Sequence, residues 1–372
     1  MGWTLVNICD LCDSVSVTYS KGADMVTLVN TSDVLDGKFL NINKVPNKNL
    51  KGQFKKTFQK GDILYSEIRP INKHFAYVDF DATDHIASTK LMVLRAKPNV
   101  NSLFLYHILK NISTLIQLQA LAEARSGTFP QITYSEMANV HVFLPDRATQ
   151  DRIVAILSSI DDKIELNRRI NANLEQQAQA LYKSWFVDDK KDDWEEKRLD
   201  DIISIYDSQR KPLSGQQREK MEKLYPYYGA ASLMDYVDNY LFDGIYLLLG
   251  EDGTVSDSEG FPMLQYVWGK FWVNNHAHIL QGKNGFTTES LYILLKQTNV
   301  SSIVTGAVQP KISQANLKSV PITMPPINLL NQYNNIIKPI FNQIRINHNQ
   351  IQQLSTLRDT LLPKLMSGEI VV

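Results

Sequence analysis

The chain has little cysteine, and the two cysteines that it has lie close together. Among 372 residues only Cys9 and Cys12 are present, in a single Cys-x-x-Cys pattern. Such a pattern could supply half of a zinc site or a redox pair, but no second Cys or Cys/His pair with ligand spacing accompanies it. Two structural thiols in a reducing cytosol are the favoured interpretation. The sequence therefore predicts neither a disulfide framework nor a bound metal.

Long hydrophobic runs are also missing. The longest apolar stretches, such as residues 245–249, are far too short to cross a bilayer. The N-terminus shows no basic region followed by an apolar core, as a secretory signal would. With 44% hydrophobic residues, the composition is that of an ordinary globular protein. We expect a cytoplasmic protein with two or three domains, each with its own core.

The sequence contains none of the common catalytic or nucleotide-binding motifs. Gly-x-x-x-x-Gly-Lys-Ser/Thr, Gly-x-Gly-x-x-Gly, His-Glu-x-x-His and Gly-x-Ser-x-Gly are all absent. Asp193, Glu195 and Lys197 imitate the carboxylates and lysine of a metal-dependent nuclease, but they lie in a charged connector where such spacing arises freely. His276 and His278 would share a strand face, and a packed or hydrogen-bonding pair is favoured over a metal site.

The sequence repeats itself at a fixed interval. A pattern of spaced residues recurs 180 positions later over about 50 residues, which indicates an internal duplication. The first copy comprises Ile132, Val140, Pro145, Ile156, Ile160, Ile164, Asn167, Leu174 and Leu181, and the second Ile312, Val320, Pro325, Ile336, Ile340, Ile344, Asn347, Leu354 and Leu361.

Each copy opens with a tryptophan that is followed by apolar residues five and eight positions later. Trp3 begins the first copy and Trp194 the second, an offset of 191, so the first variable segment is longer by 11 residues net. Short β-favouring runs at 61–65, 75–78 and 91–94 predict strands, followed by a helix over 103–121. The second copy predicts strands at 245–249, 266–268, 271–273 and 277–280 and a helix over 289–297.

A long helix with apolar residues three and four apart follows each strand-rich region. This spacing is typical of a coiled-coil seam, and matched seams at a fixed offset favour packing of one helix on the other. Residues 149–186 would span about 57 Å at 1.5 Å per residue. Pro339 must start, kink or interrupt the second helix. If the helices pair antiparallel, Asn167 should face Asn347 and fix the register, as a polar seam residue can.

Charge is balanced overall but not locally. Lysine plus arginine equals aspartate plus glutamate at 39 each. Residues 1–145 carry 15 basic and 12 acidic side chains, whereas residues 191–325 carry 13 and 17. No acidic residue lies between Asp36 and Asp62, a segment that contains Lys38, Lys44, Lys48, Lys51, Lys55, Lys56 and Lys60.

Unopposed lysines of this kind can follow a phosphate backbone, although a solvated loop remains an alternative. The amides of Asn41, Asn43, Asn47, Asn49 and Gln53 could address base edges. In the second copy, basic character is diluted by Glu219 and Glu222.

Several segments together resemble the specificity subunit of Type I restriction-modification systems. They are residues 125–133 (RSGTFPQIT), 181–186 (LYKSWF), 225–230, 250–254, 274–278, 306–313 (GAVQPKIS) and 361–370 (LLPKLMSGEI). The resemblance covers the whole chain.

The resemblance implies an α+β fold: two mixed, strand-rich target-recognition domains joined by two long antiparallel coiled-coil helices with pseudo-twofold symmetry. The first recognition domain would comprise residues 1–148, the first spacer helix 149–187, the second recognition domain with its linker 188–325, and the second spacer helix 326–372. Each domain would read one half of a bipartite DNA site. The helices would place the two domains one to two turns of DNA apart.

The resemblance also implies a non-catalytic chain without a cofactor or metal of its own. Two methyltransferase subunits and two restriction subunits would be its partners, and S-adenosylmethionine, ATP and magnesium would act on those subunits. The candidate DNA-binding residues are Lys44, Lys48, Lys51, Lys55, Lys56, Lys60, Arg125, Ser126, Gln131, Arg210, Lys211, Tyr227, Tyr228, Gln309 and Lys311. The alternatives are a self-contained nuclease and a duplicated coiled-coil scaffold for protein partners.

Overall fold

The computed structural model describes residues 2–20, 22–306 and 308–372, which form two compact units. Unit 1 comprises residues 1–165 and 351–372, and unit 2 comprises residues 166–350. Each unit therefore contains part of both long helices. Among the helices of the described residues, none combines the length and the hydropathy of a membrane span.

Unit 1 combines short strands with short helices. Its strands are β1 (Thr4–Asn7), β2 (Cys12–Val15), β3 (Met25–Val29), β4 (Val34–Leu35), β5 (Lys38–Phe39), β6 (Lys44–Pro46), β7 (Phe54–Lys56), β8 (Ile63–Ser66), β9 (Phe75–Tyr77), β10 (His85–Ser88), β11 (Leu91–Ala96) and β12 (His141–Leu144). Its short helices are α1 (Ile8–Leu11), α2 (Ser102–Lys110), α3 (Ile112–Arg125) and α4 (Tyr134–Met137). Two four-stranded sheets, in the orders β6-β3-β10-β7 and β2-β11-β8-β9, form most of the unit.

The long helix α5 (Arg147–Lys183) begins in unit 1, continues into unit 2 and ends in a π-helical turn at Ser184–Asp188. Unit 2 continues with strands β13 (Glu195–Arg198), β14 (Ile203–Ile205), β15 (Tyr225–Tyr228), β16 (Leu233–Val237), β17 (Phe242–Gly250), β18 (Leu264–Val273), β19 (Ala277–Gly282) and β20 (Pro321–Met324). Its short helices are α6 (Leu199–Ile202), α7 (Gly215–Glu219), α8 (Thr288–Lys296) and α9 (Gln314–Lys318), and the long helix α10 (Ile327–Ser367) follows. One six-stranded sheet, in the order β14-β19-β17-β18-β15-β16, dominates this unit.

Two predicted elements differ in extent from the structure. The single helix expected over 103–121 is divided at Asn111, whose backbone is extended and whose side chain caps α3 by accepting a hydrogen bond from the amide of Ser113. The two strands expected at 266–268 and 271–273 form one strand, β18, because β17 pairs continuously with it from Phe242 to Leu249.

The long helices pair antiparallel within each unit, as predicted. In unit 2, the Tyr333 hydroxyl donates to the Ala178 carbonyl at 2.9 Å. Later in α10, the Asn347 side chain donates to Asn171, which comes earlier in α5, at 2.8 Å. In unit 1, Arg358 forms an ion pair with Asp161 at 2.9 Å. Helix α10 neither starts nor ends at Pro339, although proline cannot donate to the Asn335 carbonyl.

Both seam asparagines are buried and hydrogen-bonded across the helix pair. Asn167 is 1% exposed and donates to Gln350 at 3.1 Å, and Asn347 is 3% exposed and donates to Asn171. We expected Asn167 and Asn347 to lie opposite each other. Instead, the partner of Asn167 lies three positions from Asn347, and the partner of Asn347 lies four positions from Asn167. Their role in setting the register stays a prediction.

Candidate nucleic-acid interface

The lysine-rich segment of unit 1 forms an exposed surface across β5, β6, β7 and their connections. Lys48, Lys51, Lys55 and Lys60 are exposed, and no ion pair is found for them within the described part of the chain. These side chains therefore keep their charge available to a ligand. We call Lys48, Lys51 and Lys55 the free lysine group.

Two other lysines of this segment are bound within the fold. Lys44 forms an ion pair with Asp84 at 2.7 Å. The Lys56 ammonium donates hydrogen bonds to the carbonyls of Thr89 and Leu91 at 3.1 and 2.8 Å, and burial lowers its pKa. Because those bonds attach β7 to the start of β11, we interpret Lys56 as a structural residue and not as part of the interface.

The amides in this segment are partly used by the backbone. The Asn41 side chain donates to the Leu28 carbonyl at 3.0 Å, and the Asn47 side chain donates to the Ala23 carbonyl at 2.9 Å. Asn43 and Gln53 line a groove of about 410 Å³ together with Asn41 and Lys51. Amide and ammonium groups thus meet at one concave surface.

The candidates at 125–131 lie beside the C-terminal end of β8. The Arg125 guanidinium pairs with Glu136 at 3.4 Å, and the Ser126 hydroxyl accepts from the Phe129 amide at 3.3 Å. The Gln131 side chain accepts from Lys90 at 3.5 Å. All three are at least partly exposed, so these weak local contacts leave room for another ligand.

In unit 2, Arg210 is a half-buried residue that is held by contacts within the fold. Its guanidinium pairs with Glu251 at 2.6 Å and donates to the Ala277 carbonyl at 2.8 Å, with its side chain only 14% exposed. Tyr227 is 1% exposed, and its hydroxyl accepts a hydrogen bond from the Leu213 amide. Because the Tyr227 side chain is enclosed and the Arg210 guanidinium is engaged by Glu251 and the Ala277 carbonyl, we interpret both as structural residues.

Other candidates in unit 2 remain accessible to different degrees. Lys211 is exposed, whereas the half-buried Tyr228 ring packs against Phe271. Gln309 is exposed, and the Lys311 ammonium contacts Glu251 at 3.3 Å. Ala307, inside the motif over 306–313, lies outside the described residues.

His278 is the centre of a buried polar network that sequence reasoning identified only in part. Its Nδ1 lies 2.6 Å from an Asp207 carboxylate oxygen, and its Nε2 lies 2.8 Å from the Ile312 carbonyl. Burial raises the pKa of Asp207, but hydrogen bonds with His278 and the Ile279 amide outweigh it and lower the pKa below its ordinary value. Burial also raises the pKa of Glu251, but the contacts of its carboxylate with Arg210, His278 and Lys311 outweigh burial and lower the pKa.

Potential ligand atoms of Asp207, Glu251 and His278 lie within 4.8 Å of one another, a separation that could suit a metal ion. The same carboxylates already contact Arg210 and Lys311, so two cations occupy the electrostatic role of a metal. His276 has its own partner, Asp252, at 2.6 Å. These contacts fit the predicted hydrogen-bonding histidines better than a metal centre.

Two residues of the nuclease-like set, Glu195 and Lys197, lie on an exposed strand, and Asp193 precedes that strand. The Lys197 ammonium pairs with Glu195 at 2.7 Å, and this hydrogen bond lowers the pKa of Glu195. Both residues are exposed on β13. An exposed pair of this kind lacks the enclosed, charge-concentrating setting of a metal-dependent catalytic site.

Two backbone hydrogen bonds of unit 1 have direct equivalents in unit 2. The Ile132 amide donates to the Glu67 carbonyl at 2.8 Å, and the Ile312 amide donates to the Glu251 carbonyl at 2.9 Å. The Ile8 amide donates to the Val140 carbonyl at 3.0 Å, as the Leu199 amide does to the Val320 carbonyl at 2.8 Å. Ile8 and Leu199 are 191 residues apart, and Ile132 and Ile312 are 180 residues apart. Residues related by the two offsets in the sequence therefore occupy equivalent positions in the two units.

A family model described as the Type I restriction modification DNA specificity domain matches the chain twice, over residues 1–176 and 191–356. The chain belongs to this family. The predicted resemblance is therefore confirmed, and each match covers one copy of the duplication.

Named relatives support the same assignment. The chain is 45% identical over 190 residues to the Type I restriction enzyme HindI specificity subunit of Haemophilus influenzae, covering 50% of this chain and 41% of that protein. A longer match, 28% identical over 354 residues, is to the Type I restriction enzyme MjaIX specificity subunit of Methanocaldococcus jannaschii, covering 85% of this chain and 79% of the relative. The chain thus spans less than half the length of the Haemophilus relative.

A solved structure shares the fold. It is that of a Type-I restriction-modification system S subunit from M. genitalium, with a TM-score of 0.58, 18% identity and coverage of 98% of this chain and 96% of that one. The α+β class with strand-rich domains and long helices is confirmed.

Proposed function

We propose that this chain is the non-catalytic, sequence-specific DNA-recognition subunit of a Type I restriction-modification complex. The observation that carries the proposal is the presence of two copies of the DNA specificity domain, each docked by the same pair of backbone hydrogen bonds. Each unit would read one half of a bipartite site. The free lysine group would contact phosphates, while exposed side chains that differ between the units would contact bases.

The partners in this proposal are double-stranded DNA, two methyltransferase subunits and two restriction subunits. S-adenosylmethionine, ATP and magnesium would be bound by those partner subunits. The paired helices would hold the methyltransferase subunits and fix the distance between the half-sites. Asn167 and Asn347 would keep the helices in register.

Methylome sequencing of the host with and without this chain tests the proposal. We expect a bipartite methylated motif that disappears when the chain is deleted. An unchanged methylome would contradict the function. Cleavage of DNA by the purified chain with magnesium alone would instead favour the nuclease alternative, and an absence of salt-dependent DNA binding would favour a protein scaffold.

A second experiment tests the helices as a spacer. Inserting residues into both long helices should lengthen the gap between the two half-sites and leave the bases of each half-site unchanged, because the recognition surfaces are not altered. Sequencing the methylome of the insertion strain measures both quantities. Altered bases within a half-site would contradict a spacer role.

A further inference from the structure

An exposed apolar loop lies next to the free lysine group of unit 1. Residues 40–43 connect β5 to β6, and in this loop Leu40 is 54% exposed and Ile42 80% exposed. Removing an isoleucine side chain from water is favourable, because its surface is entirely apolar. Because the Ile42 side chain is mostly in water, it adds little burial energy to the fold. Its apolar surface is therefore available to a ligand.

The loop is held in shape by its own polar contacts. The Leu40 amide donates to the Asp33 carbonyl at 2.8 Å, and the Asn41 side chain donates to the Leu28 carbonyl at 3.0 Å. The Asn41 side-chain oxygen also accepts from the Asn43 amide at 3.0 Å. These bonds fix the backbone on both sides of Ile42, so the apolar side chain is presented without the entropy loss of ordering a flexible loop on binding.

The surroundings indicate the kind of ligand. Lys48, Lys51 and Lys55 are exposed near the loop in sequence, and the adjoining groove is lined by Asn41, Asn43, Lys51 and Gln53. Cations that hold phosphates beside amides and an apolar tip match the mixed chemistry of a nucleic-acid groove: anionic backbone, polar base edges, and methyl groups or base faces. An apolar protein partner would not require the unpaired lysines.

We propose that Ile42, supported by Leu40, makes an apolar contact with the bases of the half-site that unit 1 reads, and so determines part of its specificity. The inference rests on the proposed DNA-recognition function and adds a specificity-determining residue to it. Two sources share the chemistry: the methyl group of a thymine in the major groove, and the face of a base at an unstacked step.

The test uses the full chain in the complex purified from its host and duplexes carrying the motif found by methylome sequencing. The variant Ile42→Ser keeps the loop backbone but removes the apolar contact. The matched control is Ile116→Ser, at a residue 57% exposed on α3. We expect Ile42→Ser to lower the ratio of specific to non-specific affinity about 10-fold, with non-specific binding unchanged, and Ile116→Ser to leave the ratio unchanged.

Two arms separate the sources. If the contact is a thymine methyl, replacing thymine by deoxyuridine in the half-site should weaken wild-type binding and have no further effect on Ile42→Ser. If it is an unstacked step, 2-aminopurine in the half-site should brighten on binding the wild type but not the variant. Absence of both effects would overturn the proposal.

An unchanged affinity ratio in Ile42→Ser, or an equal loss of specific and non-specific binding, would also overturn the apolar contact while leaving DNA recognition intact. Loss of partner subunits from the Ile42→Ser complex would instead identify the loop as a protein contact and overturn the proposal. A wild-type complex with no preference for the motif would contradict the proposed function itself, so the two failures are distinguishable.

Discussion

Unit 1 and unit 2 share a docking frame but use their charged side chains differently. The free lysine group of unit 1 faces solvent, whereas several cations of unit 2 are bound by carboxylates: Arg210 by Glu251, and Arg218 and Lys223 by Asp235 at 3.1 and 2.9 Å. Lys223 and Arg218, together with the Tyr236 amide, lower the pKa of Asp235 to about 2. Positive charge in unit 1 is available for phosphates, and in unit 2 much of it stabilises the fold.

The same difference is found at the equivalent strand position. His278 pairs with Leu249 in the sheet of unit 2, and Met92 pairs with Tyr65 in the sheet of unit 1. Both side chains are buried, but the methionine belongs to an apolar cluster and the histidine to an ionic network. The two units therefore have the same backbone pairing at this position. The buried side chain there is apolar in unit 1 and polar in unit 2.

The largest expected effect comes from making unit 2 resemble unit 1 at this position. His278→Met would remove one buried partner of Asp207 while Arg210 and the Ile279 amide remain, and losing a hydrogen bond to a charged group costs about 1.5–3 kcal/mol. Urea unfolding followed by tryptophan fluorescence measures this well, since of the five tryptophans only Trp3 lies in unit 1. The control Met92→Leu in unit 1 should cost less than about 1.5 kcal/mol. Equal stabilities for both variants would show that the network does not secure unit 2.

The next effect concerns DNA binding. Replacing Lys48, Lys51 and Lys55 by alanine should reduce the slope of log affinity against log salt by about 2.7, since each phosphate contact contributes about 0.9. Titration of the complex with DNA at several salt concentrations measures the slope. The paired cations Arg218, Lys223 and Lys311 offer a matched triple variant in unit 2, for which we expect a smaller change. A larger change from unit 2 would reverse the comparison.

Lys56 separates a structural lysine from the lysines that we propose to contact DNA in unit 1. Lys56→Met removes two part-buried hydrogen bonds to backbone carbonyls and should destabilise the protein by about 1–3 kcal/mol. The salt slope of DNA binding should remain as in the wild type. A reduced slope in a fully folded Lys56→Met variant would return this residue to the interface.

The smallest effect is a dependence of the stability of unit 2 on acid pH. The pKa values of Asp207 and Glu251 are lower in the folded state than ordinary carboxyl values. As pH falls, the unfolded state therefore takes up protons first, so their stabilisation is complete above about pH 5 and is lost progressively at lower pH. Urea midpoints from tryptophan fluorescence across this range should fall, and Asp207→Asn should flatten the decline. A wild-type midpoint independent of pH there would contradict this linkage.

Much of the frame could be predicted from sequence because it depends on local periodicity. The seam spacing indicated the long helices, and the offset between Ile132 and Ile312 indicated the duplication that the two docking hydrogen bonds repeat. The candidate interface was predicted less well. A run of lysines identified the basic surface, but Lys56 belongs to the fold, because its carbonyl partners lie 33 and 35 residues away, at and just before the start of β11.

The sequence by itself determined the repeat, the helical seams, the charge difference between the copies and the family. Each of these follows from composition, from local spacing or from comparing stretches of sequence, and none requires knowing which distant residues touch. Only the tertiary structure decided which charges remain free. Lys44 meets Asp84, and His278 meets Asp207 from 71 residues away, through sheet pairing that no local pattern encodes. Whether a cation serves a ligand or the fold depends on which carboxylate the sheet brings to it.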